Sequence, residues 1–117
     1  MNLGVHAYAW TSEWNDSQLG LIARCKQLGL DLIEIPLMRI DLCHPAAIQA
    51  ECERVGLKVC TSTVLGEATD LTSDSREVRA AGVAYLKQCV EYTAAMGGNT
   101  FSGVIYSAIG RKIQTRP

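Results

Sequence analysis

The segment Leu28-Gly29-Leu30-Asp31-Leu32-Ile33-Glu34-Ile35 constrains this chain more than any other. It reads as the end of a helix, a glycine in the left-handed position beyond it, and then a strand. Glycine suits that place because it has no Cβ to penalise a positive φ. The strand that follows, residues 32–37, is apolar apart from Glu34. A continuous apolar strand is what a parallel sheet covered on both faces requires. A lone carboxylate on such a strand is costly unless it is paired or put to use.

The same punctuation recurs. Val55-Gly56-Leu57-Lys58-Val59 is a second copy and Met96-Gly97-Gly98-Asn99-Thr100-Phe101 a third, while Leu3-Gly4-Val5 opens a first strand with no helix before it. Three helix–glycine–strand joints after an opening strand predict an α/β fold of parallel βα units.

A chain of 117 residues, 48% hydrophobic and 20% charged, has room for one domain and enough apolar side chains to fill its core. Its net charge of −1 gives no electrostatic pull toward nucleic acid or an anionic membrane. The N-terminus lacks a basic stretch ahead of an apolar run, so no signal peptide is expected, and no apolar run reaches membrane-spanning length. The five cysteines are an odd number without C-x-x-C spacing. Cys25, Cys52 and Cys89 fall on the apolar side of predicted helices, where a thiol behaves as a small hydrophobe. The expectation is a reduced, cytoplasmic protein.

The first strand is expected over residues 3–9, with Val5, Ala7 and Ala9 on one face and Gly4, His6 and Tyr8 on the other. The apolar set suits a helix-covered face and the polar set a cleft or barrel mouth. Trp10 and Trp14 share the following loop. Their indoles either lid the core or form a flat wall for a ligand such as a sugar ring, and spacing alone does not separate the two. The cluster Asn15-Asp16-Ser17 predicts the start of the first helix, which buries Leu21, Cys25 and Leu28. Pro36 closes the second strand, and Pro45 opens the second helix, with Ile48, Cys52 and Val55 as its buried stripe.

The third strand, residues 58–64, carries Thr61, Ser62 and Thr63 in its second half. Hydroxyls at the C-terminal end of a parallel strand lie where α/β folds keep their ligands, although threonine also simply favours strands. Asp74 with Glu77 has capping-box spacing and predicts a long third helix with Val78, Ala81, Tyr85, Cys89, Thr93 and Met96 on one face. The fourth strand is expected over residues 99–107. The remaining residues, 108–117, read as a short basic tail with no core-facing pattern. A sheet ending there has an open edge and an uncovered face.

Four features in this order resemble a known family: Tyr8-Ala9-Trp10 with Glu13-Trp14, the segment from Gly29 to Ile35, Asp70-Leu71-Thr72-Ser73 with Val78-Arg79, and Gly103 to Ser107. They resemble the sugar isomerase/epimerase superfamily with a xylose-isomerase-like TIM barrel, and within it the N-terminal half of the D-tagatose and D-psicose (allulose) 3-epimerases. The resemblance implies that residues 1–107 form the N-terminal half of a TIM barrel, with about four strands and three helices. In that family a divalent metal, usually manganese, holds an enediolate while two glutamates move a proton at C3 of a ketose. Those glutamates and the metal ligands lie in the second half of the family's barrel, so no residue of this chain matches a catalytic base or a metal ligand, and no cofactor is expected here.

What carries over is the substrate side. Trp14 matches a loop tryptophan that packs on the sugar, and Glu34 an acid pointing into the barrel mouth. Ser62 falls where some relatives have a cysteine touching the far end of the sugar. His6 stands where an aromatic ring is usual, and Ile109 where a second substrate-facing tryptophan is expected. With the tail after it, that last departure suggests a truncated gene or altered reading frame. His6 and Glu34 alone are two ligands, short of a metal site. The resemblance thus implies a piece of a ketose 3-epimerase that is inactive alone. The alternative is a non-catalytic half-barrel that self-associates as a homodimer, or joins a missing C-terminal half, as an interaction or sugar-binding module. A remnant with no activity of its own is the third reading. Neither nucleic acid nor membrane is an expected partner.

Overall fold

In the computed structural model, which describes residues 1–112, Gly29, Gly56 and Gly97 have φ of 81°, 74° and 89°. All three expected joints are therefore left-handed. At the first, Gly29 N–H donates to the Lys26 carbonyl and Leu30 N–H to that of Cys25, both at 3.0 Å. At the third, Gly97 N–H donates to Ala94 at 3.0 Å and Gly98 N–H to Thr93 at 2.9 Å. This pairing satisfies carbonyls that a helix end otherwise leaves open, and it turns the chain back toward the sheet.

The elements follow in the order β1 (Gly4–His6), α1 (Gly20–Gln27), β2 (Leu32–Pro36), α2 (Pro45–Val55), β3 (Lys58–Val64), α3 (Arg76–Ala95) and β4 (Phe101–Val104). The four strands form one sheet in the order β1-β2-β3-β4, every neighbouring pair parallel. This is the expected α/β architecture of parallel βα units. Ile33, Ile35, Val59, Thr61 and Thr63 are buried on one face, together with Ile22 and Cys25 of α1, Ile48 and Cys52 of α2, and Cys89 and Met96 of α3. No helix among the described residues is long and apolar enough to cross a membrane.

Several boundaries differ from the sequence reading, each for a local reason. β1 stops at His6, not at residue 9, because residues Ala7–Ala9 turn into a 3-10 helix that the His6 side chain caps. Asn15 caps a separate 3-10 turn, Asp16–Gln18, and α1 begins only at Gly20. Ile22 rather than Leu28 joins Cys25 in the core, since Leu28 is the exposed C-cap residue. The cap of α3 is Ser75, whose hydroxyl accepts from Val78 N–H at 3.3 Å. Ala81 is exposed and Gly82 takes the buried place. β4 covers four residues, Phe101–Val104.

The residues after β4 are better anchored than expected. Ala108 is buried, and Ile109 N–H donates to the Leu65 carbonyl at 2.9 Å. Residues 113–117 of the expected basic tail lie outside the described residues.

Gly82 offers a test of this packing. A Cβ there stands 2.4 Å from the Thr69 carbonyl oxygen and 2.9 Å from the Leu71 side chain. In an ordinary helix interior glycine-to-alanine stabilises by about 1 kcal/mol. Here Gly82→Ala is expected to destabilise by about 1–3 kcal/mol through overpacking, read as a lower urea midpoint.

Candidate functional site

Alternation along the strands divides the sheet into two chemically different faces. On β3, the Thr61 and Thr63 hydroxyls turn toward α3, where they pair with Thr93 Oγ1 and the Tyr85 hydroxyl. Tyr85 also donates to the Leu37 carbonyl at 2.6 Å. These two threonines belong to the core. Ser62, between them, faces the opposite side, where no helix of the described chain lies between it and His6 and Glu34.

On that face parallel register sets His6 beside Glu34 and Glu34 beside Cys60, with Ser62 two residues further along β3. His6 Nε2 lies 3.1 Å from Glu34 Oε2 and 3.2 Å from Ser62 Oγ. The His6 and Glu34 side chains are each 31% exposed, so the cluster is open to a ligand. On the other side of the ring, Tyr8 N–H donates to His6 Nδ1 at 3.0 Å. The Tyr8 ring leans over the imidazole with centroids 4.4 Å apart at 41°. Three of the four expected substrate-side residues, His6, Glu34 and Ser62, thus meet at the C-terminal half of the sheet.

The fourth is placed differently. Trp14 is 3% exposed and belongs to the hydrophobic core, whereas Trp10 is the exposed indole of the pair. This corrects the expectation of Trp14 as a stacking wall: its ring closes the core beneath the loop. Ile109, where a second tryptophan was anticipated, is exposed.

For the divalent metal that the resemblance implies, this face offers two donors, His6 and Glu34. Among the described residues no three His, Cys, Asp or Glu side chains converge on a common point, and two ligands leave a divalent ion underbound. Nucleophilic thiol chemistry is equally disfavoured. Burial pushes the Cys43 thiol up to about 12, with Asp16 and Cys89 adding to it, and Cys52 up to about 11, with Glu51 and Cys25 adding. Cys60 is raised by burial and by the Glu34 charge beside it. Thiols held above their ordinary range stay protonated and weakly reactive at neutral pH.

Sequence reasoning missed two groups. One is the Tyr8 main-chain N–H, whose role depends on β1 ending at His6. The other is Asp70, 4% exposed in the loop after β3. It accepts from Thr72 N–H at 2.9 Å, the Thr72 hydroxyl at 2.8 Å, Ala108 N–H at 3.1 Å and the Arg111 guanidinium. The Asp-x-Thr spacing was a legible signal for the local turn. The contact with Arg111, from a segment read as an unpatterned tail, was not.

No family model matches the sequence. A ketose 3-epimerase from Arthrobacter globiformis is 30% identical over 115 residues, which is 97% of this chain and 40% of that protein. An L-ribulose 3-epimerase from Methylomonas sp. (strain DH-1) is 30% identical over 112 residues, 95% of this chain and 39% of that protein. Among solved structures, a D-allulose 3-epimerase from Methylomonas sp. superposes with a TM-score of 0.89 at 30% identity, covering 96% of this chain and 40% of that one. The chain spans about two-fifths of the length of the relatives it matches.

Asp70 generates a test of the loop that follows β3. Burial by itself raises a carboxyl, but the donors from Thr72, Arg111 and Ala108 outweigh it and hold Asp70 well below the usual carboxylate range. A group depressed in the folded state stabilises the fold above its unfolded pKa, and loses that effect as pH falls toward the folded value. Asp70→Asn is therefore expected to lower the urea midpoint at pH 7. The gap to wild type should narrow below about pH 4, the ordinary aspartate value.

Proposed function

We propose that this chain, which matches the N-terminal part of the ketose 3-epimerases in sequence and fold, forms the substrate-facing side of a ketose site and does not turn ketoses over by itself. The observation that carries this reading is the meeting of His6, Glu34 and Ser62 on the sheet face that no described helix covers. Parallel α/β folds hold their ligands at the C-terminal ends of the strands. A histidine, a carboxylate and a hydroxyl supply the donors and acceptors that sugar hydroxyls need.

Trp14 supports the mouth from within the core, and Tyr8 lines its rim. Proton abstraction next to a carbonyl calls for a positioned base and a means of stabilising the enediolate. In the epimerases the chain resembles, the metal site and the two glutamates do this, and the resemblance maps neither onto these residues. The proposal for this chain is thus binding without catalysis.

A second reading, self-association, is favoured by one observation. Val83 and Val90 on the outward side of α3 are 46% and 55% exposed, and β4 beside them is an outer strand of the sheet. Outer strands and apolar helix faces are routes to pairing between chains. Light scattering on the purified chain tests it: a sharp dimer supports a homodimer, and a monomer removes that reading.

The binding proposal is tested by titrating D-allulose or L-ribulose into the isotopically labelled 117-residue chain. Resonances of His6, Glu34 and Ser62 are expected to shift, while those of the outer face of α3 stay in place. With manganese present and D-fructose or D-tagatose as substrate, no epimer is expected. Conversion by the pure chain refutes the non-catalytic reading.

A further inference from the structure

After β4 the chain turns back on the sheet. Ala108-Ile109-Gly110-Arg111 is a turn closed by Arg111 N–H, which donates to the Ala108 carbonyl at 3.2 Å, with Gly110 at a φ of 75°. A positive φ at the third place of a turn favours glycine. The turn lies across the C-terminal end of β3. There Leu65 N–H donates to the Val104 carbonyl of β4 at 3.0 Å, and the Leu65 carbonyl accepts from Ile109 N–H at 2.9 Å. The same turn points Arg111 back to Asp70, 41 residues earlier in the chain.

The two halves of this contact are held differently. Asp70 has a fixed base. Its carboxylate accepts from the N–H and hydroxyl of Thr72 in its own loop, and its carbonyl accepts from Ser73 N–H at 3.2 Å. Gly82 lets α3 come close to Thr69, one residue before it. The turn has no such base. Of residues 108–112 Ala108 alone is buried, and Ile109 is 64% exposed. Among the described residues, what fastens the turn is polar: Ala108 N–H and the Arg111 guanidinium on Asp70, and Ile109 N–H on Leu65. A segment with few buried apolar contacts opens at a free energy well below that of the whole domain. Opening here strands no charge. Water reaches Asp70 and Arg111 as they part, and Asp70 keeps its two Thr72 donors, so no bare buried carboxylate is left behind.

We infer that residues 108–112 are a strap that opens as a unit while the sheet stays folded, and that Arg111 on Asp70 is the latch that sets how often it opens. The strap is one wall of a cavity of about 460 Å³, and Glu67, Asp70 and Ser73 of the loop after β3 line the other. Opening moves that wall and frees the carbonyl of Leu65, a residue fully buried when the strap is closed. None of these residues belongs to the cluster of His6, Glu34 and Ser62, so the strap stands independently of ketose binding.

Amide hydrogen exchange on the full chain, followed residue by residue by NMR at increasing urea, tests it. The amides of Ala108, Ile109 and Arg111 report the strap. That of Leu37, which donates to the Ser62 carbonyl at 2.8 Å between β2 and β3, reports the sheet. Local opening exposes little surface and responds weakly to urea, whereas global unfolding responds strongly. In the wild type the three strap amides are expected to share one opening free energy, smaller than that of Leu37 and with a shallower urea dependence. Arg111→Met keeps an unbranched side chain and removes the charged donor. It is expected to speed exchange at Ala108 and Ile109 by roughly tenfold or more, the size of one hydrogen bond to a charged group, with the shallow urea dependence retained.

A wild-type Ile109 amide that shares the protection and urea dependence of Leu37 overturns the strap, because the segment then opens only with the domain. Unequal opening free energies at Ala108, Ile109 and Arg111 overturn the single unit. In Arg111→Met, exchange at Ile109 within about threefold of wild type overturns the latch, and so does a steep urea dependence there. A variant that does not fold makes Arg111 a support of the whole domain and also overturns the latch, while the wild-type urea series decides the strap without it.

Discussion

A parallel strand has two faces, and the period-two alternation of its side chains assigns every residue to one of them. In this chain that assignment is chemical. On β2 and β3 the residues turned toward the helices are Ile33, Ile35, Val59, Thr61 and Thr63, all buried. Their neighbours Glu34, Cys60 and Ser62 lie on the other side and keep partial exposure. A slip of one residue in register exchanges the two sets, burying a carboxylate among aliphatic side chains and exposing the isoleucines. The polar cluster therefore exists because the core exists, and the same ladder bonds specify both.

The left-handed glycines were the most legible part of this fold, because a positive φ is a local steric demand that few residues other than glycine meet cheaply. The strands β2 and β3 were legible because each follows such a glycine, β2 as an apolar run broken only by Glu34 and β3 as a stretch rich in β-branched residues. Helix starts were less so. Asn15 and Asp74 each resembled a cap, yet the helices begin at Gly20 and Arg76, because a 3-10 turn intervenes at one and Ser75 takes the cap at the other. The site was half legible. His6, Glu34 and Ser62 could be placed on one face from alternation and register. The burial of Trp14 and the reach of Arg111 to Asp70 depend on how distant segments pack, which no local pattern records.

His6 joins two levels of the structure. Its Nδ1 caps the short turn Ala7–Ala9, while its Nε2 hydrogen-bonds Ser62 on β3 and lies 3.1 Å from Glu34 Oε2 on β2. The loop bearing Trp10 is thus tied to the sheet through the ring that faces the mouth. A ligand that draws on Nε2 acts on the same ring that orders the rim. Asp70 plays the parallel part on the far side, fastening the loop after β3 to the segment after β4. No buried side-chain nitrogen or oxygen among the described residues lacks a partner.

The exclusively parallel sheet also bears on the order in which this chain assembles. No two neighbouring strands are joined by a hairpin, and each ladder closes only after an intervening helix has been laid back on the sheet. Such topologies gain their long-range contacts late and fold slowly for their size. The β2–β3 ladder, with five register pairs against three between β1 and β2 and four between β3 and β4, is the longest pairing available to a collapsing chain. A newly made chain has completed this central βαβ unit by Val64, before α3 and β4 are added to it. The polar mouth is then assembled from the inside outward: Glu34 and Ser62 come into register with that unit, and His6 reaches them only when β1 docks on its edge.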